Sequence, residues 1–304
     1  MSRTPATRRT VEITKRSFVC IRDRRLIVEQ EGLEAAAIPI EDLGTIVIDN
    51  PAVVLTVGAL QACSSGQAEL LICDDRHLPA SLLLPMQSHT LSARVLRSQV
   101  TASEDTCKHL WRTIVQHKIR NQQRLLDVLG IRCVALGRLS RCVAPGDPGN
   151  REAQAAQLYW PLLFGKDFRR RGEGGDHVNA ALNYGYALLR AAIARAISGA
   201  GLHPALGIHH CNQYNNFSLA DDLVEPFRPM VDRCIRSHVQ TIQATGFNSG
   251  CKSELLALLS TPIGINGRMK PLPVAFHEYA VQLRDAISRS RPRIKVPDPW
   301  PSGA

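Results

Sequence analysis

The chain has 304 residues, 44% of them hydrophobic and 21% charged, with 37 Lys and Arg against 27 Asp and Glu for a formal charge of +10. This composition can bury a sizeable core and excludes global disorder. No run of about 18 apolar residues free of charge is present, which excludes a membrane-spanning helix. Length sets a prior of about two domains, and the basic start MSRTPATRRTVEITKR lacks the apolar core of a secretion signal.

Residues 10–30 alternate with period two, with Val11, Ile13, Phe18, Cys20, Leu26 and Val28 apolar, and polar residues 22–25 read as a hairpin turn. A further strand is expected at Thr45–Ile48, a short helix over 53–64, and buried strands at Ala68–Cys73 and Ala80–Leu84. After Pro85 the period becomes helical. Helices are expected over Ser92–Leu129, Arg151–Phe164, Val178–Ala200, Ser218–His238 (broken by Pro226 and Pro229) and Phe276–Arg289. Residues 165–177 read as a mobile Gly- and charge-rich loop, and 290–304 as a Pro-rich flexible tail. The expected fold is α+β: a β-rich domain with one short helix at 1–86, a larger all-α domain at 87–289, and the tail.

Charge divides at the same place. Residues 1–86 hold 9 basic and 11 acidic side chains, while 87–304 hold 28 basic and 16 acidic, a net +12. Arg outnumbers Lys by 30 to 7, and Arg forks match phosphate oxygens bidentately. A basic helical domain beside a near-neutral one points to a polyanionic partner, nucleic acid in particular. The nine cysteines include no C-x-x-C pair, which argues against zinc of the paired-cysteine type and, with no secretion signal, against a disulfide framework. Free thiols in a reducing cytoplasm are the expectation.

The densest chemistry lies in GIHHCNQYNNFSLADDLVEPFRP, residues 207–229. If Ser218 caps a helix, Asp221, Asp222 and Glu225 fall within its first two turns, with Glu225 four residues from Asp221 and three from Asp222. Carboxylates sharing a helix face repel unless a cation lies between them, so a divalent metal is a natural reading. The plainer alternative is that such acids only complement the helix dipole. His209 or His210 could add an imidazole donor, and local spacing does not decide which. Glu152 opens a helix after GDPGN. Asn179 and Asn183 lie four apart on an apolar helix beside Tyr184, suited to binding a phosphate or equally to locking a buried loop. Trp111, Lys118 and Asn121-Gln122 share that ambiguity. Phosphate loops of the P-loop type, G-x-S-x-G and H-E-x-x-H are absent.

The blocks TVEITKRSFVCIRDRRLIV, ICDDRHLPASLLLP, HLWRTIVQHKIRNQ, GDPGNREAQAAQLYWPLLFG, DHVNAALNYGYALLR and LGIHHCNQYNNFSLADDLVEPFRPMVD resemble the CRISPR-associated integrase, the larger catalytic subunit of the spacer-acquisition complex, and most closely its type II branch. The resemblance implies a β-rich domain that dimerises, a helical catalytic domain, and Mg2+ or Mn2+ held by an acid, a His and a second acid. Matched block by block, these fall on Glu152, His210 and Glu225, with Asp222 matching an acid that often assists. It further implies double-stranded DNA partners (the incoming prespacer and the CRISPR repeat with its leader), a small ferredoxin-like partner subunit, a prokaryotic cytoplasmic setting, and insertion of short DNA by 3′-OH attack on a repeat-border phosphodiester. Arg169, Arg170, Arg171, Asn179, Asn183, Tyr184 and Arg228 are the expected DNA contacts. The competing readings are a catalytically idle DNA-binding subunit, which would bind but not join DNA, and an unrelated metal-dependent phosphodiesterase, which would hydrolyse without joined products.

Overall fold

The alternating start of the chain forms strands of two different sheets. In the computed structural model, which describes residues 9–75, 79–83, 92–172 and 175–300, the chain divides into two units, Met1–Thr90 and Leu91–Ala304. In the first unit, strand β1 (Arg9–Ile13) is followed by β2 (Phe18–Arg22) and β3 (Arg25–Glu29), which form an antiparallel hairpin. Its turn is tight because Asp23 and Arg24 both take positive φ, +47° and +59°, the twist that suits a two-residue hairpin. Strand β4 (Ala36–Pro39) adds antiparallel to β3, and β6 (Val54–Leu55) adds parallel to β2.

The second sheet has β1 at one edge, then β5 (Leu43–Ile48), β7 (Glu69–Cys73) and β8 (Pro79–Leu83), with β1, β5 and β7 parallel and β8 antiparallel. Every residue of β5 is buried, as expected of a strand covered on both faces. Helix α1 (Val57–Ser65) starts one residue after Thr56, whose hydroxyl accepts from the Ala59 amide at 3.2 Å, so β6 stands where the apolar pattern predicts helix. Val19, Leu26, Leu43, Ile46 and Leu70 belong to the apolar core of this unit.

The second unit is built of helices α2 (Ser92–Val100), α3 (Glu104–Val128), α4 (Val134–Arg141), α5 (Arg151–Phe164), α6 (His177–Gly199), α7 (Ser218–Val224), α8 (Arg228–Ser237), α9 (Val239–Thr245), α10 (Ser249–Ala257) and α11 (Leu272–Ser288). The expected 92–129 helix is two helices, because Ser103 accepts from the Thr106 amide and starts α3 afresh. Helix α6 is buried on nearly all sides and packs against α7, α8 and α11, which accounts for its apolar sequence. No helix among the described residues is long and apolar enough to cross a membrane.

Two expectations are corrected here. The unit is not all-α: Pro262–Ile265 (β9) and Arg268–Pro271 (β10) form a hairpin around Asn266-Gly267, both at positive φ. The tail is not free as far as Trp300. Asp298 exchanges two backbone hydrogen bonds with Gly264 (2.7 and 2.8 Å), and Arg124 donates to the Asp298 carboxylate at 2.6 Å and to the Trp300 carbonyl. Proline prevents a helix there but leaves carbonyls and side chains free to dock. Residues 301–304 lie outside the described residues.

Candidate active site

Glu152 stands at the second position of α5 because the Asp147 carboxylate accepts from the backbone amides of Arg151 (2.9 Å) and Glu152 (3.0 Å). That anion at a helix N-terminus replaces an N-cap side chain, since Asn150 takes a left-handed conformation and does not cap. Glu225 opens a single 3-10 turn, Glu225–Phe227, between α7 and α8. Pro226 supplies no amide, and its carbonyl is held by Asn121 of α3 at 2.8 Å.

The two glutamates converge on one cation. Lys118 Nζ, from the middle of α3, lies 2.5 Å from Glu152 Oε1 and 2.5 Å from Glu225 Oε2. The Lys118 ammonium thus bridges the two carboxylates. Arg228 NH2 lies 3.0 Å from the other Glu225 oxygen. Burial alone would raise the Glu225 pKa, but the charges of Arg228 and Lys118 outweigh it and hold the carboxyl below its usual range. Burial would likewise lower Lys118, and the two glutamates overcome it and raise the ammonium.

The histidines are separated by their partners. His209 stacks flat on buried Trp111, with ring centroids 4.1 Å apart and an interplanar angle of 4°, while His210 meets the same indole edge-on at 5.6 Å. His210 Nδ1 lies 2.6 Å from Asp222 Oδ1. That bond raises the imidazole pKa above its ordinary value, against the lowering by burial, and the charges of Glu225 and Glu152 add to the rise. Asp222 is fully buried and also accepts from the amides of Ile208 (2.7 Å), His209 (3.0 Å) and His210 (3.3 Å). With Nδ1 donating to Asp222, the free ring nitrogen is Nε2. The 207–210 turn approaches α7 closely: a Cβ on Gly207 would stand 2.3 Å from the His210 carbonyl and 3.0 Å from Asp222 Oδ2.

Asp221 turns elsewhere, accepting from Asn215 at 2.8 Å. Ser218 does not cap α7. It begins the helix, and its hydroxyl donates to the Asn215 carbonyl at 3.1 Å. A buried chain of contacts runs on from Glu225. Arg228 lies over the Tyr186 ring at 4.9 Å, Tyr186 donates to Asp232, and Tyr159 donates to Asp232 at 2.7 Å. Burial pushes the Asp232 carboxyl up to about 6, against the two tyrosine hydrogen bonds.

The residues expected to contact DNA behave differently from one another. Arg169 and Arg171 are exposed. Asn179 accepts from the Arg171 amide at 2.7 Å and donates to the Arg169 carbonyl at 3.1 Å, and Asn183 donates to the Gly172 carbonyl at 2.8 Å. Arg170 donates inward to Asn183 at 2.6 Å. The expectation of a mobile loop is thereby corrected for residues 169–172, whose backbone the side-chain amides of Asn179 and Asn183 hold. Tyr184 is fully buried against Phe247 and presents no face to DNA, which corrects its expected role. Arg228, expected to hold phosphate, is engaged by Glu225 and Tyr186.

Lys118, Asp147 and Asn121 are the site residues that sequence reasoning left unassigned or ambiguous. Lys118 carried no signal of its own, one of several cations, with Arg112, Arg120 and Arg124, interleaved along α3. Asp147 sits in a turn sequence whose capping role depends on the fold.

These groups define a class. Two carboxylates converging on one cation, with an oriented imidazole nearby, offer hard-oxygen and nitrogen donors of the kind metal-dependent phosphodiester enzymes use. The donor set fits a divalent ion: the fold already places a cation between Glu152 and Glu225.

A family model described as CRISPR associated protein Cas1 matches residues 12–257, and the chain belongs to that family of CRISPR-associated endonucleases, the integrases of spacer acquisition. The CRISPR-associated endonuclease Cas1 of Neisseria meningitidis is 36% identical over 297 residues, 96% of this chain and 97% of that protein. One from Pyrobaculum aerophilum is 26% identical, with 89% and 96% of the two chains covered. The fold is shared with a casposase bound to an integration product (TM-score 0.78, 19% identity, 94% of this chain and 92% of that one) and with a Cas1 protein from Thermotoga maritima (TM-score 0.64, 19% identity, 93% and 94%).

Proposed function

We propose that Glu152, His210 and Glu225 hold the divalent ion, Mg2+ or Mn2+, on which this integrase depends. The observation that carries the reading is the convergence of both glutamates on one buried cationic position next to a His whose other nitrogen is already bonded to Asp222. When bound, the ion lowers the cost of the attacking alkoxide and of the charge that develops at phosphorus.

The protein's own residues do the rest. Glu152 and Glu225 supply carboxylate oxygens from α5 and from the turn before α8. Asp222 fixes the His210 ring and its tautomer, and with both of its oxygens occupied it acts as a positioning residue rather than a ligand. Lys118 and Arg228 balance the carboxylates so that the site can stay ionised while buried. Exposed Arg169 and Arg171 bind backbone phosphates without reading sequence, so DNA binding weakens steeply with salt.

In the reaction, the 3′-oxygen of an incoming duplex end bonds to phosphorus at the border of a CRISPR repeat. The bond from phosphorus to the target strand's own 3′-oxygen breaks, leaving a free 3′-OH on that strand. Water in place of the 3′-OH gives endonuclease cleavage. The partners are double-stranded DNA, as prespacer and as the repeat with its leader, a second copy of the chain through the β-rich unit, and a small ferredoxin-like subunit. In support, one structural neighbour is a casposase bound to an integration product, and another is a Cas6-RT-Cas1–Cas2 complex with TM-score 0.74 that matches 99% of this chain.

The test mixes the chain, its small partner subunit, Mn2+ or Mg2+, a short duplex with free 3′-OH ends and a supercoiled plasmid carrying a repeat. Joined, relaxed plasmid is expected from the wild type and not from His210→Ala or Glu225→Ala. Equal joining by those variants would overturn the assignment of the ligands. DNA binding without joining by the wild type would point to an architectural subunit.

A further inference from the structure

A second set of metal donors lies at the far end of α8, outside the acid–imidazole–acid site. Cys234 and His238 are four residues apart, with His238 closing α8, and Cys251 and Glu254 are three apart on α10, so each pair shares a helix face. Donor atoms of Cys234, His238 and Glu254 lie within 4.8 Å of one another. Cys251, three residues before Glu254 on the same α10 face and beside Cys234, is the candidate fourth donor. The cluster contains no C-x-x-C pair, because each helix contributes one cysteine and one other donor.

The histidine is already oriented as a ligand. Its Nδ1 lies 3.0 Å from the Cys234 carbonyl and 3.1 Å from the Ser237 hydroxyl, while Nε2 points at Glu254 Oε1, 3.0 Å away. Imidazoles that bind metals hold the other ring nitrogen against a carbonyl or carboxylate in this way. A neutral ring with Nδ1–H on a carbonyl presents its Nε2 lone pair to a carboxylate at hydrogen-bond distance. Two electron-rich atoms stay that close only with a proton or a metal ion between them.

We propose that Cys234, His238, Cys251 and Glu254 form a zinc site that ties α8 to α10. Two thiolates, one imidazole and one carboxylate are a closed tetrahedral set typical of zinc, with soft donors that disfavour Mg2+ and Mn2+. Glu254 is largely exposed and Cys251 is buried. The site borders a cavity of about 1030 Å3 that both Cys234 and Glu254 line, which gives an ion a way in. The expected role is structural. The clamp secures one end of α8, the helix whose other end carries Arg228 against Glu225. The proposal does not depend on how the catalytic ion is held.

The test strips the purified full chain of metal and titrates it with Co2+ and then Zn2+. The wild type should gain thiolate-to-cobalt charge-transfer absorption at one equivalent, and zinc should displace it. The absorption should vanish in the Cys234→Ser, Cys251→Ser double variant and persist in Glu225→Ala. His238→Gln, which leaves both thiols in place, should weaken zinc binding by at least about tenfold. Zinc should raise the unfolding temperature of the wild type but not of the double variant. No charge-transfer band from the wild type would overturn the proposal. So would a band that survives in the double variant and is lost with Cys211→Ser, which would place the thiolate ligand beside His210.

Discussion

The two units of this chain solve burial in opposite ways. The β-rich unit seals an apolar core of Val19, Leu26, Leu43, Ile46 and Leu70, and of the carboxylates it buries, Asp49 and Glu69, the latter accepts a 2.6 Å hydrogen bond from Thr45. The helical unit buries Asp222, Glu225 and Asp232 and surrounds them with Lys118, Arg228, two tyrosines and three backbone amides. Burying an ion costs several kcal/mol unless partners compensate it closely. A unit selected for stability alone would hold few such groups, so their concentration around one helix junction marks where the chemistry lies.

The largest test of that contrast is Glu225→Ala. It should reduce strand transfer by at least about a thousandfold, measured as a single-turnover rate, because it removes a proposed ligand and leaves Lys118 and Arg228 buried without their anion. Leu26→Ala should do the reverse: a loss of about 2–5 kcal/mol in the stability of the β-rich unit by denaturant unfolding, with the rate per folded molecule unchanged. A large rate effect from Leu26→Ala would erase the division of labour.

The Asp232 carboxyl, at about 6 when folded, lies above its unfolded value of 3.8. The folded state therefore holds that proton more tightly than the unfolded state. The resulting stabilisation is complete below about pH 4 and is lost as pH rises through about 6. Asp232→Asn should remove this slope, so its stability relative to wild type should improve by about 2–3 kcal/mol between pH 4 and pH 7. The comparison is read from chemical unfolding at a series of pH values.

The smallest expected effect is that of Asp222→Asn. It should lower the joining rate by about 10- to 100-fold while leaving DNA affinity near that of the wild type, as expected of a group that acts by orienting His210. A loss as large as that of Glu225→Ala would make Asp222 a ligand instead.

Periodicity marked where strands give way to helices, and the deletion of one amide by each of Pro226 and Pro229 marked the break that places Glu225 in its own turn. Resemblance at the level of motifs singled out Glu152, His210 and Glu225, residues that α5, the 207–210 turn and the turn before α8 carry toward one another. These features are legible because they depend on neighbours within a few residues. The Asn266-Gly267 hairpin was equally local and went unread, since its strands are only four residues long.

The rest depended on contacts distant in sequence. Nothing near Val11 says that β1 pairs with β5, more than thirty residues on, rather than with β2. Nothing near Lys118 says that it lies between two glutamates from other elements, nor do the Asn179 and Asn183 side chains declare that they hold a loop and not a phosphate. A hydrophobic pattern tells a residue which way to face. Which polar group it meets there is decided by the packing of whole helices and sheets, and that choice turned candidate residues into a site.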